Sequence, residues 1–471
     1  MKTEASLRGS TWFKTTFLAL AMTSGTLSLP SSAPSASTGA AQLASAPLFP
    51  RPPRPGSVSS PCVAGTPGVD DAYAFDTVLA AGLPDGVDVV GTSHYRPGQL
   101  VVVLHAITAN CHPASGFGDH GTVTLTTSGS SLSEIDAMSA TKDGQLLLAG
   151  SDGSNEIVGR LLGDGRIDTA FGSDGWMRFR PPEKPVAVSN APSYQATSIS
   201  QAPSGMVFVG ANDGQAHCCV ESFVSELTPR GILVGSFGER GSVALPQLQG
   251  SYTTSVFPQA TGVLVAGQYE GMGCGGPMIV RLDGTGGLDR AFDSHLAASL
   301  KASLAPDVLF TPVVVPGRNG TFDLLGDAVA SCALNPHPPS QGLGLEFMGD
   351  GYLDRSFGNL GRLSFASDED IGNGTWGTRL ENGRLLLVTI AYSSLRSGTA
   401  VGLRVREFLG TGRVANAFGH GGVVNLNNKA IAAILNDQDI SPSVAIIPAP
   451  DQGELITVAS VRQIDVVRLQ A

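Results

Sequence analysis

Six cysteines, eight histidines and two acidic clusters are the residues of this chain whose chemistry could go beyond packing. Cys62, Cys111, Cys218, Cys219, Cys274 and Cys332 can form disulfides in an oxidising compartment, where paired thiols persist. Thiolate and imidazole also ligate zinc and copper. His112 adjoins Cys111, His217 adjoins Cys218, and His337 lies near Cys332. No CxxC or HxxxH spacing accompanies them, so the pattern favours disulfides over a metal centre. The clusters DEDIGNG (368–374) and NDQD (436–439) carry oxygens suited to calcium, but neither matches an EF-hand loop or a calcium-binding nonapeptide repeat. Both read as solvated loops. No cofactor is expected, with calcium the one exception left open. GxSxG, HExxH and P-loop patterns are missing, so no catalytic residue is assigned. The glycine-rich GMGCGGP (271–277) lacks the strand–helix context that phosphate binding needs. Carboxylate pairs for glycoside cleavage could still be assembled from distant segments.

Any such residues must be positioned by a repeated element, because one short phrase recurs along the chain. It reads GFGDHG at 116–121, AFGSDG at 170–175, SFGERG at 236–241, SFGNLG at 356–361 and AFGHGG at 417–422, with a decayed copy, AFDSHL, at 291–296. Its aromatic anchors are Phe117, Phe171, Phe237, Phe292, Phe357 and Phe418, spaced by 54, 66, 55, 65 and 61 residues. Six residues before the aromatic stands a glycine in five copies: Gly165, Gly231, Gly286, Gly351 and Gly412. Three before it is Asp168, Asp289 or Asp354, and eleven before it is Arg160, Glu226, Arg281, Glu346 or Glu407. A second element is a turn glycine followed by an apolar strand, beginning at Gly98, Gly144, Gly205, Gly262, Gly320, Gly383 and Gly453. Strands such as TVTL (122–125) and VVNL (423–426) follow the aromatic phrase. Each unit of roughly sixty residues therefore holds about four short strands joined by glycine turns, the dimensions of an antiparallel sheet. No convincing amphipathic helix is visible. The glycines read as turn residues needing positive φ or close approach, the aromatics as packing between units, and the aspartates as caps of their own turns.

The pattern resembles the delta-60 repeat family of bacterial β-propeller proteins, most closely in DGQLLLAG…IVGRLLGDGRIDTAFGSDG, residues 143–175. The resemblance covers nearly everything after residue 67. It departs at AFDSHL, which lacks both glycines, and in the first unit, where Gly98 and Gly144 are only 46 residues apart. The resemblance implies a repeat-built propeller and nothing sharper about activity.

Composition fits this reading. Glycine is abundant, with 60 among 471 residues, and charged residues make up only 15%, against roughly 25% in an average globular protein. The net charge of −11 argues against nucleic acid and anionic membrane surfaces, which attract Lys and Arg patches. Residues 1–46 have the basic start (Lys2, Arg8, Lys14), apolar middle and small-residue end of an export signal. That apolar run is too short and broken to span a bilayer. Residues 47–67 read as a Pro-rich linker and 68–471 as the repeats.

A sheet that cannot bury its faces alone must be covered by neighbours. The chain stops at VVRLQA (466–471), before an aromatic phrase, while GVDDAYAFDTVLAAG (68–82) resembles the missing piece, with Phe75 in the aromatic place. The expected fold is therefore all-β: a β-propeller of seven blades, each of about four antiparallel strands, closed by an N-terminal latch strand. That latch would sit beside the first blade, which makes Cys62 and Cys111 the first disulfide candidate; Cys219 and Cys274 are the second. The expected function is an exported, non-enzymatic binding or scaffolding propeller, secreted, periplasmic or on the envelope. It would be monomeric, with a protein or glycan partner of unknown identity. The alternatives are a hydrolase or lyase with its site at the mouth of the central channel, and a structural envelope component.

Overall fold

Short apolar strands and glycine turns build a ring of antiparallel sheets in the computed structural model. The structure describes residues 57–58, 62–63, 76–96, 99–108, 112–128, 134–152, 154–182, 194–213, 221–245, 251–260, 262–269, 276–304, 308–317, 320–330, 341–366, 375–380, 382–393, 399–436, 443–449, 453–459 and 464–470. All of them belong to the unit Pro52–Ala471.

Strands β1 (Ser57–Val58) and β2 (Cys62–Val63) come first in the chain. Blade 1 is β3 (Asp76–Gly82), β4 (Asp88–Arg96), β5 (Gln99–Ile107) and β6 (Thr122–Ser128). Blade 2 is β7 (Glu134–Ala140), β8 (Leu146–Ser151), β9 (Glu156–Leu161) and β10 (Trp176–Phe179). Blade 3 is β11 (Tyr194–Gln201), β12 (Val207–Asp213), β13 (Glu221–Leu227) and β14 (Ser242–Ala244). Blade 4 has three strands, β15 (Ser251–Gln259), β16 (Gly262–Tyr269) and β17 (Gly276–Leu282), followed by helix α1 (Arg290–Ser303). Blade 5 is β18 (Val308–Pro316), β19 (Phe322–Ala330), β20 (Gln341–Phe347) and β21 (Arg362–Ala366). Blade 6 is β22 (Thr375–Arg379), β23 (Leu385–Tyr392), β24 (Ala400–Phe408) and β25 (Val423–Leu426). After helix α2 (Lys429–Leu435) come β26 (Ser443–Ala449), β27 (Gly453–Ala459) and β28 (Ile464–Gln470).

Within each blade, neighbours in sequence pair antiparallel. The first strands lie innermost: β3, β7, β11 and β15 adjoin in turn, as do β18, β22, β26 and β3. The chain is an all-β propeller. Its apolar residues form clusters shared by two neighbouring sheets, such as Ile135 and Leu148 of blade 2 with Leu100 and Leu104 of blade 1. Neighbouring blades cover both faces of the middle strands, so all six residues of β8 are buried.

Three expectations need correction. Six blades are each one continuous run of chain, not seven; the remaining sheet is composite, with β26, β27 and β28 joined at the outer side by β1 and β2. The segment expected as the latch is not an outer strand. Its β3 portion pairs with β4 as the innermost strand of blade 1, and the strands beside β28 come from the presumed linker, with Ser57 opposite Gln470 and Cys62 opposite Val466. Residues 68–75, including Phe75, lie outside the described residues. Helices do occur. In blade 4 the phrase that forms a turn elsewhere runs into α1, and Asp289 becomes its N-cap, accepting from the Phe292 N–H.

The first-unit anomaly also resolves. Gly98 lies between the second and third strands of blade 1, whereas the turn glycine equivalent to Gly144 is Gly86, in the left-handed region at φ 78°. The motif there reads DGVDVVG, 85–91, and Asp88 interrupts its apolar run, which made GQLVVVL the more conspicuous match.

Candidate functional site

Two ends of the strands can be compared as places for chemistry. At one end, here the turn face, the backbone repeats itself. The turn from first to second strand carries the same pair of hydrogen bonds in blades 1, 2, 3 and 6, for example Thr141 N–H to the Gln145 carbonyl and Gly144 N–H to the Thr141 carbonyl. The turn after the third strand repeats equally, as in Leu162 to Arg166 and Gly165 to Leu162, and again in blades 3, 4, 5 and 6.

The recurrent residues meet on this face. Phe117, Phe171, Phe237, Phe292, Phe357 and Phe418 are all buried. Gly165, Gly231, Gly286, Gly351 and Gly412 all have positive φ, and each packs on the preceding blade. A Cβ on Gly231 would come within 2.7 Å of the Phe171 ring, and one on Gly412 within 2.9 Å of the Phe357 ring. Backbone bonds tie the same places together: Gly118 N–H donates to the Asp164 carbonyl, Gly172 to Arg230, Gly238 to Thr285 and Gly358 to Thr411. The phrase and the glycine six residues before the next aromatic thus form one clasp between blades.

The arginines eleven before the aromatic reinforce these joints. Arg160 pairs with Asp168 at 2.8 Å, lies 4.8 Å from the Phe171 ring centre, and donates to the Pro229 carbonyl of blade 3. Arg281 repeats this with Asp289, Phe292 and the Gly349 carbonyl of blade 5. The aspartates also accept from their own turns, Asp168 from Ala170 N–H and Asp354 from Ser356 N–H. At two of the three Glu positions the cation comes from elsewhere. Arg384 pairs with Glu407, and Arg379 of blade 6 pairs with both Asp323 and Glu346 of blade 5. Burial pushes Asp323 up to about 6 and Glu346 up to about 7, against the pull of the Arg379 guanidinium.

The opposite end, the loop face, varies. The connection from second to third strand is residues 97–98 in blade 1, 152–155 in blade 2, 214–220 in blade 3 and 331–340 in blade 5. The connection between blades is 129–133 after blade 1 and 180–193 after blade 2. The inner strands are irregular near this end. β7, β11 and β15 each carry a bulge within their first residues, at 135–137, 196–198 and 253–255. Bulges redirect side chains and occur beside functional sites. The bulge in β7 inserts Asp136, two residues after Glu134, and the one in β11 inserts Thr197, which donates to the Gly210 carbonyl. Sequence patterning did not single out Glu134, Asp136 or Thr197; the extra residue breaks the alternation that a strand search looks for.

Between blades 2 and 3 lies a second group that the sequence did not reveal. Glu156, at the start of β9, is fully buried, and Ser225 of β13 donates to it at 3.5 Å. Burial pushes its carboxyl up to about 8.

Of the disulfide candidates, Cys111, Cys219 and Cys274 lie outside the described residues, as do Cys218 and Cys332, and Cys62 is described only through the backbone pairing of β2. The acidic segment 368–374 and residues 437–439 are likewise outside them. Among the described residues no three His, Cys, Asp or Glu side chains are grouped to hold a metal ion, and no helix is long and apolar enough to cross a membrane.

No family model and no curated protein matches this sequence. Among solved structures, it is similar to an α-L-arabinofuranosidase, Arb93A, from Fusarium graminearum, with 9% identity, TM-score 0.44, and coverage of 88% of this chain and 98% of that one. It is similar to the polysaccharide lyase Uly1, with 10% identity, TM-score 0.42, and coverage of 86% and 91%. A subtype N11 neuraminidase-like protein of A/flat-faced bat/Peru shares 11% identity at TM-score 0.37, with 89% and 98% covered. The propeller assignment stands on this chain's own strand pairing.

Proposed function

We propose that this chain is an exported, delta-60-like propeller that binds a protein or glycan on its loop face without turning it over. One observation carries the reading: the turn after the third strand repeats bond for bond in blades 2 to 6, while the length variation is concentrated at the loop face. Rigid scaffolds that vary at one set of loops place recognition there. The first and last described strands meet in the composite sheet, where β1 and β2 pair with β28; we read this pairing as the device that holds the ring closed.

A second reading has its own support. Glu134 and Asp136 flank a bulge at the loop-face end of an inner strand, which is where a hydrolase or lyase of the channel-mouth type would gather carboxylates.

The test uses a glycan array and envelope-protein capture with three forms of the chain: wild type, a form with 331–340 replaced by a short Gly-Ser connection, and a turn-face form carrying Ser204→Lys. Binding that is saturable, lost in the first variant and kept in the second is the expected result. Turnover of a glycoside or uronate polymer that disappears in Asp136→Asn would replace this reading with the enzymatic one.

A further inference from the structure

A repeat supplies its own control, because each blade shows what a position holds when it only builds the scaffold. The residue paired across the strands with the charged position of the third strand is apolar in four blades: Leu147 with Arg160, Phe208 with Glu226, Leu264 with Arg281 and Leu386 with Glu407. In blade 5 it is an acid, Asp323, directly opposite Glu346. Blade 6 departs at the place that answers it. Its inner strand ends in Arg379, where the inner strands of blades 1 to 5 end in Gly82, Ala140, Gln201, Gln259 and Pro316.

Charge at this joint does not balance. Arg379 donates through Nε to Asp323 Oδ2 at 3.0 Å and through Nη2 to Oδ1 at 2.7 Å, and the same Nη2 lies 3.2 Å from Glu346 Oε2. Its Nη1 donates to the Gly383 carbonyl at 3.3 Å. One cation therefore serves two carboxylates, and all three side chains are buried, Asp323 at 0% exposure, Arg379 at 8% and Glu346 at 9%. The other charged group acting on the pair is a further acid, Asp354 of the turn after β20, which accepts from Ser356 N–H and Oγ. Arg384, in the turn that follows Arg379, is taken by Glu407. The arginine joints of blades 2 and 4 pair one acid with one cation.

With both carboxylates ionised, the group would carry an uncompensated negative charge away from water. Two acids in contact relieve such a charge by keeping a proton between them. We propose that the Asp323–Glu346 pair binds one proton in the folded chain and makes the joint between blades 5 and 6 a pH-sensitive one, tight while the proton is held and loosened when it leaves. Burial acts in the same direction, raising Asp323 from 3.8 to about 6 and, with Asp323 beside it, Glu346 from 4.5 to about 7. Both carboxyls thus hold protons more strongly in the folded chain than in the unfolded one. The stability they contribute is present in full below 3.8 and is lost as the pH rises through about 6 to 7. The joint lies at the turn-face end of its strands, and the inference does not depend on the loop-face reading.

The test compares three full-length chains in a Glu156→Gln background, which silences the other strongly raised carboxyl: the background itself, Asp323→Leu, which installs the residue of blades 2, 4 and 6, and Glu346→Gln. Denaturant unfolding at a series of pH values from about 5 to about 8 gives the unfolding constant of each. The ratio of the background's constant to that of either variant is expected to rise by about threefold to tenfold per pH unit between about pH 5 and 6. If Asp323→Leu does not fold, the isosteric Glu346→Gln decides. Hydrogen exchange of 380–384, corrected for its intrinsic pH dependence, is expected to quicken as the pH passes about 7 in the background chain and not in the variants. A ratio for Glu346→Gln that changes less than about twofold over the whole range, or exchange that follows pH equally in all the chains, overturns the proposal.

Discussion

Blades 2 and 4 share their first half and part at the aromatic phrase. In both, an arginine on the third strand pairs with the aspartate eight residues on, lies over the phenylalanine ring and reaches a carbonyl of the next blade. Then Gly172 and Gly175 in blade 2 take φ values of 58° and 94° and reverse the chain into β10. Blade 4 has Asp293 and Leu296 at these positions, side chains that disfavour the left-handed region. Its chain continues as α1, with Leu296 buried among the residues of blades 4 and 5. The glycines therefore decide whether the same opening ends in a fourth strand or a helix. The joint survives either way, since Gly351 of blade 5 still packs on the Phe292 carbonyl as Gly231 packs on Phe171.

The sharpest way to break this comparison is to give blade 2 the residues of blade 4. Gly172→Asp with Gly175→Leu places side chains at two positive-φ positions, where a Cβ would lie 2.2 Å from the Trp176 carbonyl oxygen and 2.1 Å from Ile167. The expected loss exceeds about 4 kcal/mol by denaturant unfolding. A loss under about 1 kcal/mol would remove the glycines from the explanation.

A smaller effect separates clasp from turn. Gly231→Val adds a clash with the Phe171 ring to its positive φ, while Gly144→Val has the same kind of φ and no atom within 4 Å. The first should cost about 3 kcal/mol and the second about 1 to 2 kcal/mol. Equal losses would mean that the recurrent glycine serves its own turn and not the neighbouring blade.

The joint between blades 2 and 3 adds a pH dependence. The Glu156 carboxyl, raised from 4.5 to about 8, keeps its proton in the folded chain over a range where the unfolded chain has released it. Folding takes up a proton there, so its contribution is intact below 4.5 and falls as pH rises towards 8, by at most about 1.4 kcal/mol per unit. Thermal melts from pH 5 to 8 should fall less steeply in Glu156→Gln than in wild type. Parallel slopes would show that this carboxyl does not titrate between the two states.

The smallest expected change is at the composite sheet. Deleting residues 52–63 removes four cross-strand pairings with β28, worth about 1 to 2 kcal/mol together. An unchanged melting temperature would deprive β1 and β2 of any role in closure.

Much of this ring was legible because its joints use residues that stand out in a sequence. Phe171 and Gly231 recur at fixed offsets, and those offsets are contacts across one clasp. The loss of both glycines in AFDSHL was visible too, but not its result. A helix there depends on the alanine-rich stretch that follows and on Asp289 changing from turn cap to helix cap. Blade 1 was misread at Gly98 because a strongly apolar strand after a glycine looks the same whether it is second or third in its sheet. The strands beside β28 were missed because two residues each give no periodicity to detect. Glu156 and Asp136 have no motif; the first emerges from its burial between blades 2 and 3 and the second from the bulge in β7.

The division between a constant face and a recognising face is tested most directly by hydrogen exchange of the full chain with and without its captured protein or glycan. Protection gained at the ends of β8, β9, β12, β13, β19 and β20 that flank the variable connections, with turns 141–145 and 202–206 unchanged, is the expected result. Protection confined to those turns would contradict it.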